Sequence, residues 1–197
     1  MIDSKIPYIE GKAIPKPEAG QDTDRIIPAR FLKTLSFRNL GQQVYFDERF
    51  KDGALVPDHP FNGKYTGATI LLAGADYGCG SSREHAPQAL KRFGIRAIVA
   101  PSYHAIFREN AKNIGLPTVT VSQQDLDYLV QAVSTAPNLV LTVDLRDKQV
   151  LTGNLNFPLD IPEEMRQAFI KGTWNSLPAL LANKGLVDLV LEFNQRR

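Results

Sequence analysis

One cysteine, Cys79, stands in a chain of 197 residues, with only three histidines and one tryptophan. A single thiol cannot close an internal disulfide, which excludes a disulfide-stapled scaffold. Nor can it ligate an iron–sulfur cluster or build a cysteine-rich zinc site, since both take several thiolates. His59, His85 and His104 are scattered along the chain. If the chemistry needs a metal cluster, another chain must hold it. An excess of charge is missing too: the formal net charge is +2 with no basic stripe, which argues against a nucleic-acid partner. No apolar run approaches the roughly 20 residues of a membrane helix. No N-terminal stretch has the apolar core of a signal peptide. A soluble, cytoplasmic protein is the expectation. Internal repeats and low-complexity segments are also absent.

What is present is enough apolar material for a sizeable core, 43% of the chain. The pattern is sharpest in the middle. Residues 69–72, 97–100 and 118–121 read as apolar strands, and 84–93 and 103–114 as helices stopped by Gly94 and Gly115. Strand–helix–strand–helix–strand implies parallel pairing through helical crossovers. Residues 125–133 read as a further helix. Residues 139–145 alternate as a half-buried strand does, and Arg146-Asp-Lys148 turns the chain back into 149–151. Towards the N-terminus, residues 6–14 form an extended entry. Gln21-Asp-Thr-Asp-Arg25 is a turn signal, and Pro28 suits the first turn of a short helix over 29–35. Residues 36–67 are irregular, broken by Gly53, Pro57, Pro60 and Gly63; so long a weakly patterned stretch points to a function or a covering partner. Composition shifts at 153–162, and helical pieces follow over 163–171, 177–183 and 186–193. The expectation is one domain over 1–197, with a core to about residue 155 and a helical extension from about residue 156.

The densest chemistry lies at 78–87, GCGSSREHAP, directly after the strand at 69–72. Ser81-Ser-Arg-Glu84 has the spacing of a capping box, in which serine and glutamate satisfy each other's backbone N–H groups. Gly78 and Gly80 allow a sharp bend, and Pro87 is tolerated in a first helical turn. Free N–H groups and the positive end of a helix then face the carboxyl edge of the strands, where open α/β sheets bind ligands. Arg83 adds a forked donor suited to a carboxylate. On residues alone this is either a well-capped helix start or an anion site. The Lys–Ser/Thr ending of a nucleotide P-loop is missing. Cys79 with His85 could make a thiol nucleophile, but no third member accompanies them.

Two stretches together carry a resemblance. Gly78-Cys-Gly-Ser-Ser-Arg-Glu-His-Ala-Pro87 resembles the signature of the aconitase-family swivelling domain, most like that of 3-isopropylmalate dehydratase small subunits. Asp22-Thr-Asp-Arg-Ile-Ile-Pro28, followed by Phe31-Leu-Lys33, resembles the second signature of that family, and Ile106-Phe107, Asn110 and Gly115-Leu-Pro117 fit it as well. The resemblance covers nearly the whole chain. It implies an α/β fold, a three-layer β/β/α swivelling domain, here with a C-terminal helical appendage. It implies a hydro-lyase of leucine biosynthesis that interconverts 2-isopropylmalate and 3-isopropylmalate through 2-isopropylmaleate. The implied partner is a large subunit holding a [4Fe–4S] cluster, with no cofactor or metal bound by this chain. That subunit is expected to meet residues 36–67 and 78–83; self-association of the isolated chain stays open.

The resemblance also assigns residues. Ser81 matches the serine whose alkoxide is the base, and Asp24 an aspartate that orients polar partners. Arg83 matches a ligand of a dicarboxylate substrate and Ser82 a neighbouring donor. Glu84 and His85 read as structural, and His59 and His104 as surface or structural. One loop departs: many members read Thr-Arg-x-Gly-Phe-Gly where this chain has Thr34-Leu-Ser-Phe-Arg-Asn-Leu-Gly41. Arg38 is the nearest candidate for the substrate-recognising arginine, or else a solvated loop residue. A related methylmalate-, dimethylmalate- or homoaconitate-type acid therefore remains a second reading. A non-catalytic anion-binding module would be marked by loss of Ser81 or Arg83, and both are present.

Overall fold

The computed structural model describes residues 4–33, 37–80 and 83–175, with the backbone alone for residues 33, 37 and 38. In chain order the strands are β1 (Tyr8–Lys16), β2 (Phe50–Lys51), β3 (Ala54–Leu55), β4 (Ile70–Ala73), β5 (Ala97–Ala100), β6 (Thr118–Thr120), β7 (Val140–Asp144), β8 (Gln149–Thr152) and β9 (Leu155–Pro158). The α-helices are α1 (Thr23–Ile26), α2 (Phe46–Arg49), α3 (His85–Phe93), α4 (Ala105–Asn113), α5 (Gln123–Thr135) and α6 (Glu163–Lys171). Seven strands form one sheet in the order β6-β5-β4-β1-β7-β8-β9. β1 pairs parallel to β4, Ala13 opposite Ile70, and antiparallel to β7, Tyr8 opposite Asp144. After β9 the chain returns to β6: Thr120 and Asp160 exchange both backbone hydrogen bonds at 2.7 Å. The sheet thus curls until its two ends meet.

The sequence explains the layering. β4 (ILLA) and β5 (AIVA) are buried at every position, so both faces need cover. The crossovers α3 and α4 and the helix α5 supply it. Ser122 Oγ accepts from Asp125 N at 3.1 Å and starts α5. Leu126, Leu129 and Val133 then fall on one face of α5 and enter the core. Gly94, at φ 122°, ends α3 with its N–H on the carbonyls of Leu90 and Lys91.

The expected α/β architecture is present, and α6 has the expected bounds. The composition shift at 153–162 has a different meaning: Gly153-Asn154 is a hairpin turn and β9 continues the sheet. β9 was illegible because only Phe157 of its four residues is buried. α6 joins the core through Met165 and Phe169, and Ile6 N–H donates to Phe169 O at 2.8 Å. Helices expected over 177–183 and 186–193 lie outside the described residues.

Residues 37–62 carry little regular structure and are nonetheless fixed. Arg49, 9% exposed, donates from Nε to Asn62 Oδ1 at 2.8 Å and from Nη1 to Val44 O at 3.1 Å. Asn62 Nδ2 donates back to Arg49 O and Val56 O. The 3-10 helix Phe37–Gln43 packs against α3. Gly41 makes that approach possible, since a Cβ there would lie 2.5 Å from the Arg92 backbone.

Candidate active site at the carboxyl edge of the parallel strands

β1 and β4 run side by side, and the segments leaving them stay together. Gly20 N–H donates to Ala75 O at 2.8 Å, Gly78 N–H to Gln21 O at 2.8 Å, and Thr23 N–H to Cys79 O at 2.9 Å. The segment leaving β5 joins them, with Tyr77 N–H on Ser102 O at 3.1 Å and His104 N–H on Tyr77 O at 3.0 Å. Gly78, at φ 76°, is the tight point: a Cβ would lie 2.2 Å from the Phe107 ring. Both signature motifs are therefore laid against each other by parallel strand pairing.

The result is a contact between residues 59 apart: Arg83 Nη1 donates to Asp24 Oδ1. Asp24 sits in the first turn of α1, whose N-cap Asp22 accepts from Arg25 N at 2.7 Å. The Asp24 side chain is 53% exposed and that of Arg83 31%. A pair so accessible adds little stability. Its consequence is geometric: it ties one motif to the other.

Other sequence expectations fare differently. Glu84 is the N-cap of α3 and does not start the helix. Its Oε1 accepts from Gln88 Nε2 at 2.8 Å, and the serine half of the expected capping box lies outside the described residues. Ser81 and Ser82 lie outside the described residues. Arg38 lies on the 3-10 helix Phe37–Gln43, its side chain outside them too. His85 is the first residue of α3, and His104 is exposed as the N-cap of α4. His59 is not at the surface: it is 8% exposed, with Nδ1 accepting from Phe61 N at 3.2 Å.

Beneath Asp24 lies a polar network that no motif announced. Gln21 is fully buried and donates from Nε2 to Lys16 O at 2.9 Å and Glu18 O at 3.1 Å. Its Oε1 accepts from Tyr45 OH at 2.6 Å, and Tyr45 OH lies 2.7 Å from Tyr77 OH. Lys16, 3% exposed, pairs with Glu18 and Glu48 at 2.9 Å each. Glu48 also accepts from Arg25 Nε and, at 3.4 Å, from its Nη2. Burial works to raise the Glu48 carboxyl, but the bonds from Arg25 and Lys16 outweigh it and hold it below the ordinary value. His59 Nε2 lies 3.6 Å from Glu48, and burial with the Lys16 charge pushes that imidazole down. Burial drives both phenols, Tyr45 and Tyr77, upward, so both stay protonated. The sequence signals for this network are Gln21 and Arg25, the two ends of the Gln21–Arg25 turn signal.

The Asp24–Arg83 pair lies apart from an apolar groove among the described residues. That groove, about 570 Å³ between α5 and the β8–β9 turn and lined by Tyr128, Ala132, Leu139 and Leu155, shares none of the site's residues. Among the described residues, no three His, Cys, Asp or Glu converge as a metal site.

Residues 5–124 match the family model for the aconitase C-terminal domain. A 3-isopropylmalate dehydratase small subunit from Thermus thermophilus is 45% identical over 98% of this chain and 94% of its own length. The chain belongs to the family of 3-isopropylmalate dehydratase small subunits. The family also includes a Synechocystis protein of that name, 39% identical over 96% of this chain and 94% of its own length. A crystal structure of 3-isopropylmalate dehydratase from Methanocaldococcus jannaschii superposes with a TM-score of 0.63, covering 92% of this chain and 98% of that one; at 24% identity it speaks for the fold alone. Family membership agrees with the resemblance of the two motifs.

Proposed function

We propose that this chain is the small subunit of a 3-isopropylmalate dehydratase, a hydro-lyase that works only with a large subunit. The observation that carries it is near-full-length identity to small subunits of that name, 45% over 98% of the chain. Geometry adds support, because the two motifs meet at the Asp24–Arg83 contact.

In this reading the substrate is a small dicarboxylate. Arginine has five N–H donors, and the Asp24 contact engages one of Arg83's, leaving a fork for a substrate carboxylate. Ser82 is assigned the role of a neighbouring hydrogen-bond donor and Arg38 a part in recognising the substrate. Ser81 is the base that takes the proton next to a carboxylate. A serine alkoxide needs positive surroundings, of the kind that a helix N-terminus and an arginine supply.

This chain's residues do not fit an iron–sulfur cluster: it has one cysteine and no converging ligand set among the described residues. The cluster is assigned to the large subunit. The loop edge at 78–83 and residues 36–67 are the surfaces that subunit covers. A lone free thiol suits a reducing cytoplasm.

Reconstitution tests the reading. The chain is mixed anaerobically with a cluster-loaded large subunit, and 2-isopropylmaleate is followed by its ultraviolet absorbance. Turnover in the mixture and in neither chain alone is expected. No turnover with an intact cluster and proven association overturns the assignment. A substrate panel then decides for a related acid, a reading favoured by the departure at residues 34–41.

A further inference from the structure

Three segments meet at the site's floor, and one residue touches all of them. Tyr45 lies between the 3-10 helix Phe37–Gln43 and α2, in a left-handed conformation with φ 48°. Its backbone N–H donates to Ile26 O at 2.8 Å, at the end of the helix that carries Asp24. Its hydroxyl sits between Gln21, one residue before the Asp22 cap, and Tyr77, one residue before the Gly78 bend. All three side chains are fully buried.

The hydrogen-bond directions are fixed. Gln21 points its Nε2 at two carbonyls, so Oε1 is left to accept from Tyr45. Tyr45 has a single proton, which goes to Gln21. Tyr77 must then donate to the Tyr45 oxygen. The chain Tyr77 OH to Tyr45 OH to Gln21 Oε1 runs one way and has no slack.

We propose that Tyr45 is a positioning residue: it sets the spacing between the Asp24 turn and the Gly78–Arg83 loop, and through that spacing the rate of the chemical step. The geometry of Asp24 against Arg83 follows from this buried chain, because the pair itself is partly exposed. Tyr45 touches neither substrate nor reacting atoms. The link to rate rests on the function proposed above; the link to spacing does not.

Tyr45→Phe keeps the ring and removes one oxygen. It strands two buried groups, the Gln21 acceptor and the Tyr77 donor. Tyr77→Phe strands none, since Tyr45 keeps its own acceptor. The effects should therefore be unequal, and Tyr45→Phe/Tyr77→Phe no worse than Tyr45→Phe alone. Amide hydrogen exchange on the full chain reads the spacing. In Tyr45→Phe the Thr23 and Gly78 amides, which bridge the two loops, should exchange at least about tenfold faster, while those of Thr120 and Asp160 keep their rates. In the reconstituted enzyme kcat should fall about 10- to 100-fold with KM within a few-fold. The pH profile of kcat should keep its shape, whereas a proton-transferring tyrosine would move it.

Unchanged exchange at Thr23 and Gly78 overturns the proposal. So does faster exchange with wild-type kcat, or a displaced pH profile. If wild-type enzyme itself shows no turnover, the functional reading fails, and the exchange data still decide whether Tyr45 sets the spacing. Should Tyr45→Phe not fold, Tyr77→Phe carries the test: the same pattern, weaker, is expected, and wild-type exchange there overturns it.

Discussion

β1 divides the sheet into two halves that solve the same packing problem differently. On one side β4 and β5 are buried at every position and β6 at two of three. They run parallel, so their connections are helices, and the segments leaving β1, β4 and β5 emerge at one edge. On the other side β7, β8 and β9 bury only part of their residues and turn back within a few. The turn after β7 is closed by Asp144 Oδ1 accepting from Arg146 N at 2.8 Å and Asp147 N at 3.2 Å. Such turns have room only for their own geometry. The difference teaches where loops can gather: Asp24 and Arg83 meet on the parallel half because its connectivity collects loops, whereas the antiparallel half returns through short turns.

Substitutions should break the two halves differently. The largest effect is expected at Ser81 and Arg83. Ser81→Ala should abolish turnover with subunit association intact, and full activity would remove it as the base. Arg83→Ala should raise KM and lower kcat together, reducing kcat/KM by about 100-fold or more in the reconstituted enzyme. Next comes stability. Gly78→Ala forces a Cβ to 2.2 Å from the buried Phe107 at a φ of +76°, and urea unfolding should show a loss of about 3 kcal/mol. Gly153→Ala, in the β8–β9 turn, meets nothing within 4 Å at a φ of +54° and should lose only about 1 kcal/mol. Equal losses would erase the contrast.

A subtler effect belongs to Asp24. Asp24→Asn should lower kcat about tenfold while leaving Tm nearly unchanged, because the pair is accessible and the role proposed for it is orientation. The smallest effect lies in the antiparallel half. Arg166 and then Gln167 hold the Glu163 carboxyl down at about 2, from an ordinary 4.5. A depressed carboxyl stabilises the fold above its ordinary value, and that contribution is lost as pH falls through 4.5 towards 2. Glu163→Gln should thus lower Tm slightly at neutral pH, with the difference fading at pH 2; a gap that persists there would mean another cause.

The parallel half was the more legible. Its strands are uninterrupted apolar runs, and Gly94 and Gly115 mark helix ends by mechanism. α5 extends beyond 125–133 because Gln123, Gln124 and Thr135 are exposed and carry no periodic signal. β9 was lost because an edge strand with one buried residue has no pattern. Asp24 and Arg83 were readable only as members of two motifs; no spacing links residues 59 apart. Glu84 sits one residue before α3, and its carboxylate accepts from Gln88 one turn on, a bond that no capping signal announces. Tyr45 and Tyr77 were invisible, and Gln21 was legible only as the start of a turn, because a polar residue buried by long-range packing looks like any other in sequence.

The union of the two motifs into one site is best tested by a double-mutant cycle in the reconstituted enzyme. Turnover would be measured for Asp24→Asn, Arg83→Ala and the pair. If Asp24 acts by holding Arg83, its loss should matter little once Arg83 is gone, and the double variant should match Arg83→Ala alone. Fully additive losses would mean that the two motifs act separately and that their contact is incidental.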